Sequence, residues 1–228
     1  MNVEIWSDIA CPWCYVGKRR FEAALERFEH ADEVKVTWRS FELDPTAPAA
    51  RSESGAEHLA EKYGFSLEQA LEMERHMTET AAEDGLDFRF DRLRSGNTFD
   101  AHRLLHLASG LELQDALKER FMLAYLTEGE LMGDHGTLRR LAVEVGLPEA
   151  DVMDVLASDR FAEDVRADER AAASFGASAV PFFVVDRAVG ASGALPPDAM
   201  LQLLQQGWDA KPRIAVVTGG EACGPDGC

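Results

Sequence analysis

A C-x-x-C pair, Cys11-Pro12-Trp13-Cys14, stands where a short strand-like run gives way to a helical one. Val3, Ile5 and Trp6 form the run before it. After it, Phe21, Ala24, Leu25 and Phe28 recur at helical spacing, with Lys18, Arg19, Arg20, Glu22 and Glu26 between them. Pro12 suits a first helical turn, where its missing N–H removes no bond. Val34, Val36 and Trp38 then alternate with Lys35, Thr37 and Arg39, which predicts a strand with extended chain on to Phe41 and Leu43. Asp44-Pro45-Thr46-Ala47-Pro48 ends the pattern. The order strand, helix, strand suits a βαβ unit.

From about residue 53 to residue 175 the periodicity is almost wholly helical, and five or six helices are expected. Gly110, Gly129 with Gly133, and Gly146-Leu147-Pro148 punctuate the stretch. Residues 52–91 carry eleven acidic residues and three basic ones, the composition of a solvated helical face. Strand character returns at Val180-Pro181-Phe182-Phe183-Val184-Val185 and again around Val189. Leu195-Pro196-Pro197-Asp198 opens a last helix with Met200, Leu201, Leu203 and Leu204. The remainder contains Ile214-Ala215-Val216-Val217, expected to be a strand or a docked arm, and closes on Cys223-Gly224-Pro225-Asp226-Gly227-Cys228. The fold class is therefore α/β: βαβ, a long helical insertion, ββα and a tail.

A chain of 228 residues, 46% apolar and 28% charged, can bury a core without covalent staples. Its 23 Lys and Arg against 41 Asp and Glu leave a net charge of −18, which argues against nucleic acid and anionic lipid as partners. With no basic leader and no long apolar run, the expected location is the cytoplasm, where no membrane is involved. Thiols there are kept mostly reduced, so paired cysteines are catalytic, redox-sensing or metal-binding more often than structural.

Backbone N–H groups at a helix N-terminus, with the macrodipole behind them, stabilise an anion. Cys11 is thus the expected nucleophile, as a thiolate. Cys14, further inside the turn, is the expected resolving thiol: it releases a substrate held on Cys11 as a mixed disulfide. A zinc knuckle is the competing use of such a pair.

The Cys11–Cys14 motif after a strand resembles the active site of the thioredoxin superfamily, and the helical insertion resembles its DsbA-type branch. Val180-Pro181 stands where that superfamily has a cis-proline facing the dithiol. Trp6-Ser7-Asp8-Ile9-Ala10, Asn97-Thr98-Phe99-Asp100-Ala101-His102-Arg103 and Ser192-Gly193-Ala194-Leu195-Pro196-Pro197 are similar to the FrnE-like subfamily, and the likeness spans residues 2–208. It implies a thioredoxin-like domain from residues 1–51 and 176–210, a helical insertion over 52–175 and a tail over 211–228. It also implies a protein thiol–disulfide oxidoreductase or disulfide isomerase without an organic cofactor or metal. Disulfide-containing or unfolded proteins would be its substrates, and a thioredoxin or glutathione system its thiol reductant. Pro12, Trp13, Val180 and Pro181 would bind the substrate, with the edge beside Pro181 adding a strand to an extended peptide.

The same branch includes kappa-class glutathione transferases and 2-hydroxychromene-2-carboxylate isomerases, which carry serine where this chain has Cys11. A glutathione-dependent enzyme of that type, or a redox or zinc sensor, is the alternative. The dipeptide Pro12-Trp13 replaces the Pro-His of the DsbA prototype, so no imidazole supports the thiolate. The resemblance does not require Cys223 and Cys228. Gly224-Pro225-Asp226-Gly227 is turn-forming and would bring the two sulfurs together. So small a ring stabilises by about 2 kcal/mol at most. The pair is read as an auxiliary dithiol exchanging electrons with Cys11 and Cys14, with a passive disulfide or a zinc site as alternatives.

His102 and His106 have the i, i+4 spacing of a metal pair, yet no third ligand is evident and both are read as structural. So are His58, His76 and His135, while Asp100 and Asp134 near helix starts are read as caps or as partners of the helix dipole. Met73, Met77, Met122, Met132 and Met153 are expected to fill core. Trp13 is read either as lining an apolar groove or as packing.

Overall fold

Five of the six residues of the first strand, β1 (Asn2–Ser7), are buried, because it has a strand on each side and helices on both faces. The computed structural model describes residues 1–210, so Ile214–Val217, Cys223 and Cys228 lie outside the described residues. Helix α1 (Pro12–Glu26) crosses over and returns the chain to β2 (Lys35–Ser40), parallel to β1 with Ile5 opposite Trp38. The strands β3 (Phe182–Val185) and β4 (Val189–Ser192) follow the insertion, and β3 runs antiparallel to β1 with Phe183 opposite Ile5. The sheet order is β2-β1-β3-β4, and α9 (Pro197–Asp209) packs beside α1.

Alternation along β1 assigns its side chains to two cores. Val3 and Ile5 join Phe21 and Ala24 of α1, Phe28 just beyond it, and Met200, Leu203 and Leu204 of α9. Trp6 faces the other way, into a larger core that the insertion completes and that contains Cys11 and Cys14. Its indole N–H donates to the Asp168 carbonyl at 2.7 Å.

Seven helices make up the insertion: α2 (Gly55–Tyr63), α3 (Leu67–Glu83), α4 (Phe99–Ser109), α5 (Gln114–Leu123), α6 (His135–Val145), α7 (Glu149–Ala157) and α8 (Ala162–Ser174). The apolar periodicity predicts five or six. The extra break comes from caps that periodicity does not register. Gly64 ends α2 in the left-handed region at φ 70°, and Ser66 then opens α3 with a capping box to Gln69. Ser54 and Glu57 make the same box at the start of α2. A π-helical turn over Ala124–Glu128 extends α5.

Two side chains of the insertion bind β2 as a neighbouring strand would. Gln114 accepts from the Trp38 N–H at 3.0 Å and donates to its carbonyl at 2.9 Å. Asp168 accepts from the Ser40 N–H at 2.9 Å and from Arg39 at 3.1 Å. These bonds cover part of the sheet edge and fix α5 and α8 on the sheet. The methionines divide: Met77, Met122 and Met132 are buried as expected, whereas Met73 and Met153 are exposed and fill no core. No helix among the described residues is long and apolar enough to cross a membrane.

Arg103 shows how α4 is held. Its buried guanidinium donates to the carbonyls of Arg160 at 2.9 Å, Val155 and Ser158, and to Asp100 at 2.7 Å. It therefore closes the open C-terminal end of α7 against α4. Replacing Arg103 by Met leaves those carbonyls unpaired, and the expected loss in urea unfolding is about 3 kcal/mol. Arg103→Lys should recover little of it, because an ammonium lacks the fork that reaches several acceptors at once.

Candidate active site

The turn Asp8–Cys11 carries the chain from β1 into α1. Cys11 is the N-cap of that helix, at φ −91° and ψ 111°, and Pro12 is its first residue. The Cys11 N–H reaches the Asp8 carbonyl at 3.4 Å, and the Cys14 N–H donates to the Cys11 carbonyl at 3.0 Å. Both sulfurs are free thiols, Cys11 4% exposed and Cys14 fully enclosed. Burial first, and the neighbouring Cys11 second, push the Cys14 thiol well above the ordinary thiol range, so it is held protonated.

The Val180–Pro181 bond is cis and brings the segment before β3 against the dithiol. The Cys11 thiol donates to the Val180 carbonyl at 3.7 Å. The Pro181 carbonyl in turn accepts from the Gly193 N–H at 2.8 Å, just past β4. On α1, Gly17 faces the proline ring: a Cβ there would lie 2.8 Å from Pro181 Cγ. Glycine inside a helix is unfavourable by about 1 kcal/mol relative to alanine. Here it lets the helix and the proline ring meet.

The turn that carries the dithiol is joined to a buried polar group that no local pattern signals. Asp8 is buried, and its carboxylate accepts from the N–H groups of Ala10 at 3.2 Å and Leu43 at 2.7 Å. His102 Nε2 lies 3.4 Å from the same carboxylate. Burial pushes Asp8 upward, but His102, the Leu43 N–H and Lys118 outweigh it, and the carboxyl sits below its usual range. Burial lowers His102, so the imidazole is neutral and donates through Nε2. Lys118, from α5, is fully buried, donates to the Ser7 carbonyl at 3.2 Å and lies 5.7 Å from the Trp38 ring centre. Burial pushes it down to about 8. The other buried lysine, Lys18, differs in having three carboxylates around it, Glu22, Asp115 at 3.3 Å and Glu119 at 3.1 Å.

A cavity of about 560 Å³ opens over Cys11 and separates the thioredoxin-like half from α2 and α3. Cys11, Pro12, Trp13 and Val180 line one side, and Tyr63 and Met73 line the other; Cys14 does not reach it. Trp13, Leu43, Tyr63 and Met73 are exposed apolar side chains on its lining. Trp13 thus lies on the cavity and not in the core.

The two histidines of α4 do not converge. His102 turns to Asp8, while His106 lies 3.2 Å from Ser40 Oγ and from Asp168. No group of three His, Cys, Asp or Glu among the described residues could hold a metal. Asp134 caps α6, accepting from the Thr137 N–H at 2.7 Å, and Asp100 stands in the first turn of α4, where it also pairs with Arg103 and His135.

Residues 2–205 match the DSBA-like thioredoxin domain. The chain belongs to the DsbA-like thioredoxin-domain family of oxidoreductases. Among solved structures it is similar to the probable DsbA oxidoreductase SCO1869 from Streptomyces coelicolor, with 48% identity and a TM-score of 0.91 over 100% of this chain and 98% of that one. It shares its fold with the cytosolic disulfide reductase DsbM from Pseudomonas aeruginosa with GSH, at 17% identity and a TM-score of 0.66, covering 92% of this chain and 100% of that one. An uncharacterized protein of Bacillus subtilis strain 168, YwbO, is 25% identical over 200 residues, 85% of this chain and 92% of that protein.

Two predictions follow from the site's packing and charge. Gly17→Ala gains helix propensity but displaces Pro181 by several tenths of an ångström. Disulfide turnover should drop by about tenfold while thermal stability changes little. The second concerns acid. His102 takes up its proton less readily folded than unfolded, so the unfolded state gains as pH falls below about 6.5. Glu42 has the opposite sign: burial raises it to about 7, so it favours the folded state over part of the same range. Only a difference isolates His102. The stability of wild type relative to His102→Gln should fall by up to about 1.4 kcal/mol per pH unit below 6.5, and chemical denaturation at pH 7 and pH 5 measures it.

Proposed function

We propose that the chain is a protein thiol–disulfide oxidoreductase in which Cys11 attacks and Cys14 resolves. The observation that carries this reading is the position of Cys11. It caps α1, faces the Val180 carbonyl beside a cis-proline, and alone of the pair meets the cavity. A thiolate there attacks the substrate disulfide, and one substrate sulfur leaves. Cys14 then attacks Cys11, the second substrate sulfur leaves, and a thiol reductant restores the dithiol. Pro12, Trp13, Val180 and Pro181 position the substrate, and the exposed apolar lining suits an unfolded polypeptide. Cys223 and Cys228 serve as an auxiliary dithiol. The stretches Trp6–Ala10, Asn97–Arg103 and Ser192–Pro197 support a FrnE-like placement, and a reducing cytoplasm suits the thiol chemistry.

A second reading draws on the cavity itself. At about 560 Å³, between the core and the insertion, it has the size and place for a small-molecule site. A glutathione-dependent isomerase or transferase would use it so. Cysteine in place of serine at residue 11 favours the first reading.

Dithiothreitol-driven reduction of insulin separates them. Wild type should accelerate it, Cys11→Ser should fall to the uncatalysed rate, and Cys223→Ser/Cys228→Ser should lose part of the activity. No acceleration by wild type, together with saturable glutathione binding, would favour the second reading.

A further inference from the structure

One carboxylate stands in the cavity above Cys11 without a partner. Glu74, on α3, lines that cavity and is half-buried, and its side chain makes no hydrogen bond or ion pair among the described residues. The carboxylate lies across the start of α2. A Cβ placed on Gly55, the first residue of that helix, would be 3.1 Å from Glu74 Oε1 and 3.4 Å from Leu93 Cδ2. Met73 and Met77 flank Glu74 on α3 and line the same cavity. Burial pushes its carboxyl upward, and no charged neighbour offsets that.

The other charges of the lining are matched. Arg51 pairs with Asp44 and, at 3.2 Å, with Glu53. His58 lies 3.7 Å from Glu53, and Lys62 holds its ammonium 5.6 Å from the Tyr63 ring centre. These three, with Asp44 and Glu61, also line a smaller adjoining groove that Glu74 does not reach. Acid and base thus meet in that groove, while Glu74 keeps an unmatched charge beside apolar groups. An anion partly removed from water and left unpaired costs free energy, and an incoming cation that donates to it recovers the cost. Taken as a sphere, a cavity of about 560 Å³ is about 10 Å across, so two or three residues of extended chain span it.

Resting on the dithiol reading above, we propose that Glu74 is a specificity residue, which receives the lysine or arginine side chain of a polypeptide whose cysteine is held at Cys11. The substrate class is then unfolded protein with a basic residue two or three positions from the reactive cysteine. Trp13, Leu43, Tyr63 and Met73 offer the apolar surface for the side chains around it. The surroundings agree in sign. Residues 52–91, which include α2 and α3, carry eleven acidic residues and three basic ones, within a chain of net charge −18. That field draws a basic segment toward the opening from a distance, whereas Glu74 acts at contact.

The test uses the full chain, reduced, and three peptides of one sequence whose cysteine is capped as a disulfide with 5-thio-2-nitrobenzoate. They carry lysine, glutamine or glutamate two residues from that cysteine. Attack releases the coloured thiolate, and each rate is divided by the rate with dithiothreitol, which removes the peptide's own reactivity. Salt at about 0.3 M confines charge effects to about 6 Å. In wild type the lysine peptide should react about tenfold faster than the glutamine peptide, and in Glu74→Gln the ratio should fall to about one. In Glu74→Lys the glutamate peptide should be preferred to the lysine peptide. Each ratio is taken within one protein, so it does not depend on how much of a variant folds. A wild-type ratio near one, or a ratio that Glu74→Gln leaves unchanged, would overturn the proposal. A glutamine peptide that reacts no faster with wild type than with Cys11→Ser would instead sink the dithiol reading.

Discussion

One buried carboxylate ties the reactive turn to the rest of the molecule. Asp8 accepts from the backbone of its own turn at Ala10, from the segment beyond β2 at Leu43, and from His102 of the insertion. A buried charge is tolerable only when its acceptor sites are filled. Neither half of the protein can therefore shift without leaving Asp8 short of a donor. The cysteines inherit their position from this arrangement, because the Asp8 carbonyl also receives the Cys11 N–H. Gln114 and Asp168 repeat the principle at the sheet edge, where side chains of the insertion take the place of a missing strand.

The parts of this design that follow local rules were legible in the sequence. Val3, Ile5 and Trp6 announce β1, and the apolar spacing from Phe21 to Phe28 announces α1. The dithiol between them follows from nothing more than order along the chain. The cis-proline segment was legible through family likeness and not through periodicity. Gly64 was missed because a helix stop followed two residues later by a new cap leaves the apolar pattern nearly unbroken.

Other parts depend on contacts between distant residues, and no local pattern encodes them. Lys118 sits among Glu119 and Arg120, and its sequence context is that of a solvated face. It becomes buried because Gln114, one turn earlier, fastens α5 to Trp38 and the following turn meets the Ser7 carbonyl. Asp8 and His102 each stand in a short motif, yet their partnership spans 94 residues. Nothing local to Gly17 encodes its role, because the Pro181 ring it faces is distant along the chain.

The cavity joins two unlike kinds of structure. Its floor belongs to the turn after β1, the start of α1 and the segment that leads into the cis-proline, held by long-range bonds. Much of its far wall belongs to α2 and α3, each begun by its own serine box. These helices expose Tyr63, Leu67, Leu71 and Met73, and they owe their local geometry mainly to themselves. Selection can thus redraw the entrance by changing surface residues of one helical hairpin while the sulfur chemistry below stays constant. The fold thus separates what holds the two sulfurs from what shapes the opening above them.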